Sequence, residues 1–307
     1  MKNVLITGAG GFMGRALTDR LHREKIEVAA LELPSAQTRI VAHPLTRTYS
    51  IDLSSPDALL EILNREIPDV VYHLAWAGVN SSVKDDLSIQ VENIKGTLNL
   101  LQACVAVGCK HVVIPGSASQ FAYCGAVIDG TNTPAPGDAY AASKAATQIL
   151  CQWYANQNQL NLNWLLIGSV YGPGRTDDNI LTYTIKSLLQ GKETRFSKLE
   201  QMWDYLYIDD LIEALFLVGE KGKKGVVYPV GSGHAMPLAE YIKIVHQKVA
   251  PDVPLGIGKL PYKQAGKPDN SVLDISKLKL DTGFVARVPF EEGIDKMIQY
   301  FEETGAL

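Results

Sequence analysis

The sequence predicts an α/β protein built on a doubly wound parallel sheet, and three observations predict it. Short, almost continuously apolar runs alternate with helix-length segments through the first half of the chain, the pattern of strands covered on both faces by crossover helices. The first of these runs ends in a glycine cluster that opens directly into a helical pattern. The composition, 46% hydrophobic and 20% charged over 307 residues, is that of a folded chain with room for one large domain or two joined ones.

In chain order, Val4–Thr7, Glu27–Leu31, Asp69–Leu74, His111–Ile114 and Leu162–Ile167 read as strands. Between them Gly11–Arg23, Asp57–Arg65, Asp86–Val107 and Tyr140–Gln157 read as helices. Beyond Tyr171 the alternation loosens into helices, isolated strands and Gly/Pro turns at 172–174 and 231–233, so a smaller second region is expected there. No internal repeat is visible.

The charge balance excludes one class of partner. Lys and Arg number 29 against 33 Asp and Glu, net −4, with no basic run to grip a phosphate backbone, so nucleic acid is not an expected partner. The longest stretch free of charged residues, Ala145 to Gly174, is interrupted by the polar run 156–159, and no membrane span is expected. The N-terminus runs straight into a strand without a leader, which gives a cytoplasmic expectation. Four cysteines without CxxC spacing and six histidines without HxH or HExxH grouping predict reduced thiols and no metal site. Cys124 reads as a small buried hydrophobe.

The first strand ends in Gly8-Ala9-Gly10-Gly11-Phe12-Met13-Gly14, which fits GxxGxxG at 8, 11 and 14. Such a turn lets backbone N–H groups and a helix N-terminus approach a pyrophosphate with no side chain in the way. Its place between a strand and a helix makes this a Rossmann-like dinucleotide site. Glu32 closes the second strand, where a carboxylate accepts from ribose hydroxyls and repels a 2′-phosphate. NAD is therefore the expected cofactor, with Arg15 or Arg39 as the cations that could accommodate NADP.

Tyr140 and Lys144 form YxxxK inside a helical pattern, and i,i+4 spacing puts both on one face. A free phenol ionises near ~10, so work as an acid/base near neutrality needs a lowered pKa, and a neighbouring ammonium pushes in that direction.

The glycine segment TGAGGFMG at 7–14, the Tyr140/Lys144 pair and the serine-rich GSASQF at 116–121 together resemble the extended short-chain dehydrogenases/reductases that act on nucleotide sugars, the epimerase/dehydratase family. The resemblance runs over nearly the whole chain: Asp52-Leu53 looks like the adenine contact, His73-Leu74-Ala75 like the segment after the fourth strand, and Asn93–Thr97 like the NxxGT helix. Val170–Gly174 looks like the VYGPG turn and Asp204–Asp210 like DYxxVDD. It implies Ser117 as the catalytic hydroxyl, with Ser119 as fallback, beside Tyr140 as acid/base and Lys144 as the residue that holds the ribose and tunes the tyrosine. It also implies that residues 1–170, with 201–224, bind the dinucleotide and that 171–200 and 225–307 bind substrate.

The chain departs from the family at Ser169, where Asn is usual, and at Trp203, where Arg often stands. With that Arg gone, Arg175, Lys186 or Lys267 is expected to meet a nucleoside diphosphate. Ala118-Ser119 replaces the Asp-Glu pair of family dehydratases, which disfavours dehydration. The expected activity is that of an NAD-dependent nucleotide-sugar 4-epimerase, with a 4-keto-6-deoxy sugar reductase as the alternative and a catalytically inactive dinucleotide-binding regulator as a third reading. A homodimer is expected through the helices at 86–107 and 140–157, with Leu98, Leu101, Val105 and Ile149 available for the interface.

Overall fold

The apolar runs pair as parallel strands. A computed structural model describes the chain apart from residues 36–39, 80–81, 123, 176, 178, 263–271 and 306–307. Its first half comprises β1 (Asn3–Thr7), α1 (Phe12–Arg23), β2 (Glu27–Glu32), β3 (Thr46–Ser50), α2 (Pro56–Glu66), β4 (Val70–His73), α3 (Leu87–Ala106), β5 (His111–Pro115), a 3-10 turn (Ala118–Phe121), α4 (Ala139–Gln157) and β6 (Asn161–Ile167). There follow β7 (Ser169–Tyr171), α5 (Ile180–Leu189), β8 (Thr194–Arg195), β9 (Met202–Trp203), β10 (Tyr205–Tyr207), α6 (Ile208–Lys221) and β11 (Val227–Val230). The chain then forms β12 (Met236–Pro237), α7 (Leu238–Val249), β13 (Leu255–Gly256), α8 (Ser276–Thr282) and α9 (Phe290–Thr304).

The principal sheet has seven strands in the order β11-β6-β5-β4-β1-β2-β3, and each neighbouring pair is parallel. From β1 the chain winds outward to β2 and β3, then returns to place β4 on the other side of β1. The reversal opens a crevice at the carboxyl ends of β1 and β4, where open parallel sheets bind ligands. The central strands carry fully buried Val4, Leu5, Ile6, Val71, Val112, Val113 and Ile114.

Two strands of the principal sheet escaped the sequence reading. β3, TRTYS, lies at the sheet edge with no buried residue, so it lacks the apolar run that marked the others. β11 falls in the segment assigned to the smaller region, yet it pairs with β6 and completes the sheet, so the boundary expected at residue 225 cuts through the large layer. Its Pro229 suits the opposite edge position, where a missing N–H breaks no ladder.

The carboxyl-terminal half is held by two carboxylates of the Asp204–Asp210 segment. Asp204, 1% exposed, accepts from Ser232 N and Gly233 N at 3.0 and 3.2 Å and from the Ser232 hydroxyl at 2.5 Å. Asp210 accepts from Arg287 N and Val288 N at 2.9 and 3.0 Å. Tyr171, Tyr205, Tyr241 and Phe290 pack as one aromatic cluster with centroids 4.6–5.9 Å apart, joining the β7–β10 ribbon to α7 and α9.

Of the four apolar residues offered for a subunit interface, Leu101 is fully buried and Leu98 and Val105 pack against the monomer's own core; Ile149 alone is exposed, at 61%. Helical spacing could not separate the two faces because α3 is apolar on both.

Helix α6 lies against the sheet at Gly219, whose missing side chain leaves room for the hydroxyl of buried Tyr72 on β4. Gly219→Ala is expected to destabilise the protein by ~1–3 kcal/mol, the usual cost of overpacking a filled core. Urea unfolding checks it, and Tyr72→Phe in the Gly219→Ala background should return only part of the loss, because the ring carbon 2.8 Å from the added methyl still crowds it.

Candidate active site

The glycine turn closes against the segment after β4. Gly8 has φ +69°, and a Cβ there would stand 2.8 Å from the Ala75 backbone, so conformation and space both demand glycine. A Cβ on Gly14 would collide with the Gly8 carbonyl and Ala9. Gly11 is the N-cap of α1 and supplies no side-chain cap, so the first amides of the helix remain available to an anion. Phe12 and Met13 pack their side chains against the core. At the end of β2 the Glu32 carboxylate accepts from the Gly10 amide, which places the acidic group on the rim of the turn. This cradle fits a dinucleotide pyrophosphate with an adenosine ribose at Glu32.

Beside the turn, a hydrogen-bond chain crosses the crevice. Ala75 N donates to Thr7 Oγ1 at 3.3 Å, and Thr7 Oγ1 stands 2.7 Å from His73 Nδ1. His73 Nε2 lies 2.8 Å from Thr97 Oγ1, which gives its own proton to the Asn93 carbonyl at 2.8 Å. Since Thr97 must accept, His73 carries its proton on Nε2 and accepts from Thr7 at Nδ1. Burial depresses the His73 pKa to about 3, with Lys144 adding to the shift, so this imidazole is neutral. Asn93 spends its amide on both backbone groups of Ala77 at 2.9 Å, and so shapes the segment that continues from Leu74 and Ala75. Leu53 rests on Gly96 of α3 and its carbonyl accepts from Asn99 at 2.9 Å, while exposed Asp52 caps Ser54 N at 2.8 Å.

Ser117, Tyr140 and Lys144 are brought together at the carboxyl end of β5. Ser117 caps the 3-10 turn, its N–H donating to fully buried Gln120 at 3.0 Å; Gln120 also accepts from Trp164 and donates to Gln148. Its hydroxyl lies 2.8 Å from that of Ser119 and hydrogen-bonds the Tyr140 phenol. Tyr140 sits in the first turn of α4, which Asp138 caps by accepting from Ala141 N at 2.8 Å. Lys144, 5% exposed, donates to the Pro115 carbonyl at 2.8 Å.

The electrostatics depart from the expectation. Burial holds the Tyr140 pKa above its ordinary value, outweighing the hydrogen bond from Ser117 and the field of Arg175, which act downward. The same burial brings Lys144 down to about 7. The protein's own groups thus leave Tyr140 protonated, fit to donate as an acid until further positive charge arrives.

On the substrate side, the two positions that depart from the family pattern are partners: Trp203 Nε1 donates to Ser169 Oγ at 2.8 Å. Arg175 is already engaged, bidentate to Asp177 at 2.8 and 3.1 Å and donating to the Val170 carbonyl, while its charge acts on Tyr140 and Tyr205. Lys186 lies over the Phe301 ring at 5.6 Å, and Lys267 and Arg39 lie outside the described residues. A separate cleft of about 650 Å³ follows the flank of α1, lined by Arg15, His22, His43 and Asp209 among others, and does not include Tyr140. Among the described residues no metal-binding group of side chains assembles and no helix is long and apolar enough to cross a membrane.

Comparison with known proteins identifies the family. The model of the NAD-dependent epimerase/dehydratase family matches residues 4–231. The chain belongs to that family. It is 27% identical to a UDP-glucose 4-epimerase of Mycolicibacterium smegmatis, over 97% of each chain, and 25% identical to a dTDP-glucose 4,6-dehydratase of Neisseria gonorrhoeae, over 98% of this chain and 95% of that one. The UDP-glucose 4-epimerase of Thermotoga maritima, solved with UDP-glucose, superposes with a TM-score of 0.87 at 26% identity, covering 98% of this chain and 99% of that one. The Thermus thermophilus UDP-glucose 4-epimerase, solved with NAD, superposes at 0.84 and 26% identity, covering 99% and 100%. This is an enzyme of an NAD-dependent nucleotide-sugar family whose members include epimerases and dehydratases.

The sequence reading missed Thr7, Trp76, Gln90 and Gln120, which touch or hold the site. Trp76 carried a legible signal, since it follows His73-Leu74-Ala75 directly; the amides carried none, because buried glutamines have no spacing rule.

His73 makes stability depend on pH. The unfolded imidazole takes up a proton near ~6.5 and the folded one only near 3, so between these values the unfolded state binds more protons and stability falls as pH falls. His73→Gln should make the decline from pH 6 to 4 shallower by ~1.4 kcal/mol per pH unit in chemical-denaturation profiles, the contribution of one proton.

Proposed function

We propose that this enzyme is a nucleoside-diphosphate-sugar 4-epimerase, and that a UDP-hexose is its substrate. The observation that carries the reading is the pair after Ser117: Ala118 is buried and Ser119 hydrogen-bonds Ser117, so no carboxylate stands there to eliminate water from a sugar. The relatives named as UDP-glucose 4-epimerases support the same choice.

In this reading Glu32, the amides of the glycine turn and the Leu53 and Leu74-Ala75 segments hold the dinucleotide, with Lys144 directed to its nicotinamide ribose. Bound NAD supplies the acceptor and later the donor of hydride at C4. With the positive charge of the cofactor's nicotinamide ring added, Tyr140 would release its own proton to solvent; as phenolate it would take the proton of the C4 hydroxyl, and it would give that proton back to the C4 oxygen when the ketone is reduced. Ser117 holds the same oxygen, its hydroxyl relayed by Ser119. Ser169, Trp203 and Arg175 form the substrate wall, where Arg175 turns to the diphosphate the two N–H donors that Asp177 and the Val170 carbonyl leave it. The segment from Val170 to residue 200, with most of 232–307, serves as the substrate-binding region.

One observation favours a 4-ketoreductase instead: Trp203 and Ser169 satisfy each other and stand where epimerase relatives are expected to place Arg and Asn. NAD content separates the two readings, because an epimerase returns its hydride within each turnover. Purified protein retaining NAD and interconverting UDP-glucose and UDP-galactose without net reduction supports epimerisation; stoichiometric consumption of NAD(P)H supports reduction. The assembled Ser117, Tyr140 and Lys144 speak against an inactive regulator.

Tyr140→Phe should keep the fold and the bound NAD and reduce turnover at least ~100-fold, the usual scale for a positioned acid/base; a rate within a few fold of the parent would remove Tyr140 from this role.

We also propose a homodimer through α3 and α4. Leu87, Val91, Ile149 and Trp153 are 55–67% exposed on these helices, an apolar face suited to a second copy. Light scattering at micromolar concentration should give twice the chain mass, and Ile149→Asp with Trp153→Asp should give the monomer.

A further inference from the structure

Among the described residues no carboxylate pairs with the buried Lys144 ammonium. One of its three N–H donors goes to the Pro115 carbonyl, and Nζ lies 3.7 Å from the centroid of the Trp76 ring. Among the described residues none of the ion pairs involves Lys144. The titratable groups that face it are His73 from β4 and, on its own helix, Tyr140 and Cys151. Burial keeps His73 at about 3 and pushes Cys151 up to about 12, so both are neutral over the physiological range, and Tyr140 is held protonated. The electron-rich face of the indole is therefore what meets the cation.

Trp76 is itself fixed in place. Its Nε1 donates to Gln90 Oε1 at 3.0 Å, and fully buried Gln90 gives its own amide protons to the carbonyls of Gly78 and Lys84 at 3.0 and 3.2 Å. The indole meets the Tyr140 ring edge to face, with centroids 6.3 Å apart and planes at 87°. One side chain thus touches both members of the Tyr140/Lys144 pair.

We propose that Trp76 is a positioning residue of the active site: its indole face holds the Lys144 ammonium where no carboxylate reaches, and its contact with the Tyr140 ring fixes the spacing of the pair. An aromatic face is suited to this task for a physical reason. A carboxylate would hold the ammonium but cancel its field, whereas a ring quadrupole attracts the cation and carries no net charge. The ammonium keeps its charge unopposed and its remaining donor for a ligand hydroxyl.

The inference rests on the reading of Tyr140 and Lys144 as the acid/base pair, and its test needs no substrate. NAD-loaded protein labelled with ¹³C,¹⁵N-lysine is titrated by NMR, the Lys144 resonance being assigned by its loss in Lys144→Met. The protein is produced with tryptophan and with tryptophans of increasing ring fluorination, which drain the π face while leaving the ring shape nearly unchanged. The midpoint of Lys144 should fall stepwise with fluorination, by about half a pH unit to one unit over the series. In Trp76→Phe, which keeps an aromatic face that cannot be fluorinated this way, the same series should leave the midpoint in place. A midpoint indifferent to fluorine in the parent sequence, or an equal drift in Trp76→Phe, overturns the proposal. Absence of turnover with UDP-glucose would defeat the epimerase reading and leave the titration result standing.

Discussion

A parallel sheet covered by helices on both faces exposes its backbone only at the strand ends, and that constraint decides where everything chemical in this protein stands. The glycine turn after β1, Glu32 at the end of β2, the Leu74–Trp76 segment after β4 and Ser117 after β5 all lie at the carboxyl edge. Tyr140 and Lys144 reach the same edge from the start of α4, the helix that leads back to β6. The reversal between β1 and β4 opens the crevice, and the close approach of Gly8 to Ala75 shows how tightly its two walls meet.

Holding polar chemistry in so dry a place has a cost, and the structure meets it group by group. His73 is neutral and satisfied on both nitrogens; Gln120 and Gln90 are fully buried and bonded through both amide atoms. Lys144 is the exception, a cation with one carbonyl and an aromatic face for company. Its depressed pKa records the strain of that position, and perturbed groups of this kind concentrate where chemistry is done.

The fold was legible because the strands are nearly continuous apolar runs that alternate with helix-length segments. β3 was not, being a polar edge strand, and neither was β11, a four-residue run containing proline. In the site, the placement of Tyr140 and Lys144 one turn apart on a helix was readable from spacing, and Ser117 only from the family resemblance. The direction of the Tyr140 shift was not, because desolvation depends on how much of the surrounding core closes over the phenol, which spacing does not encode. The engagement of Arg175 by Asp177 was equally hidden: a turn two residues long decides whether that guanidinium is spent locally or left for a ligand.

Two carboxylates tie down the carboxyl-terminal half. Asp204 and Asp210 fasten the 231–233 and 287–288 segments largely through backbone N–H groups, which nearly every residue possesses. The side chains on those loops are accordingly free to change without loosening the tether. A lineage can therefore rewrite what this half recognises while the anchoring stays constant, and the carboxylates act as fixed docking points for an interchangeable recognition surface.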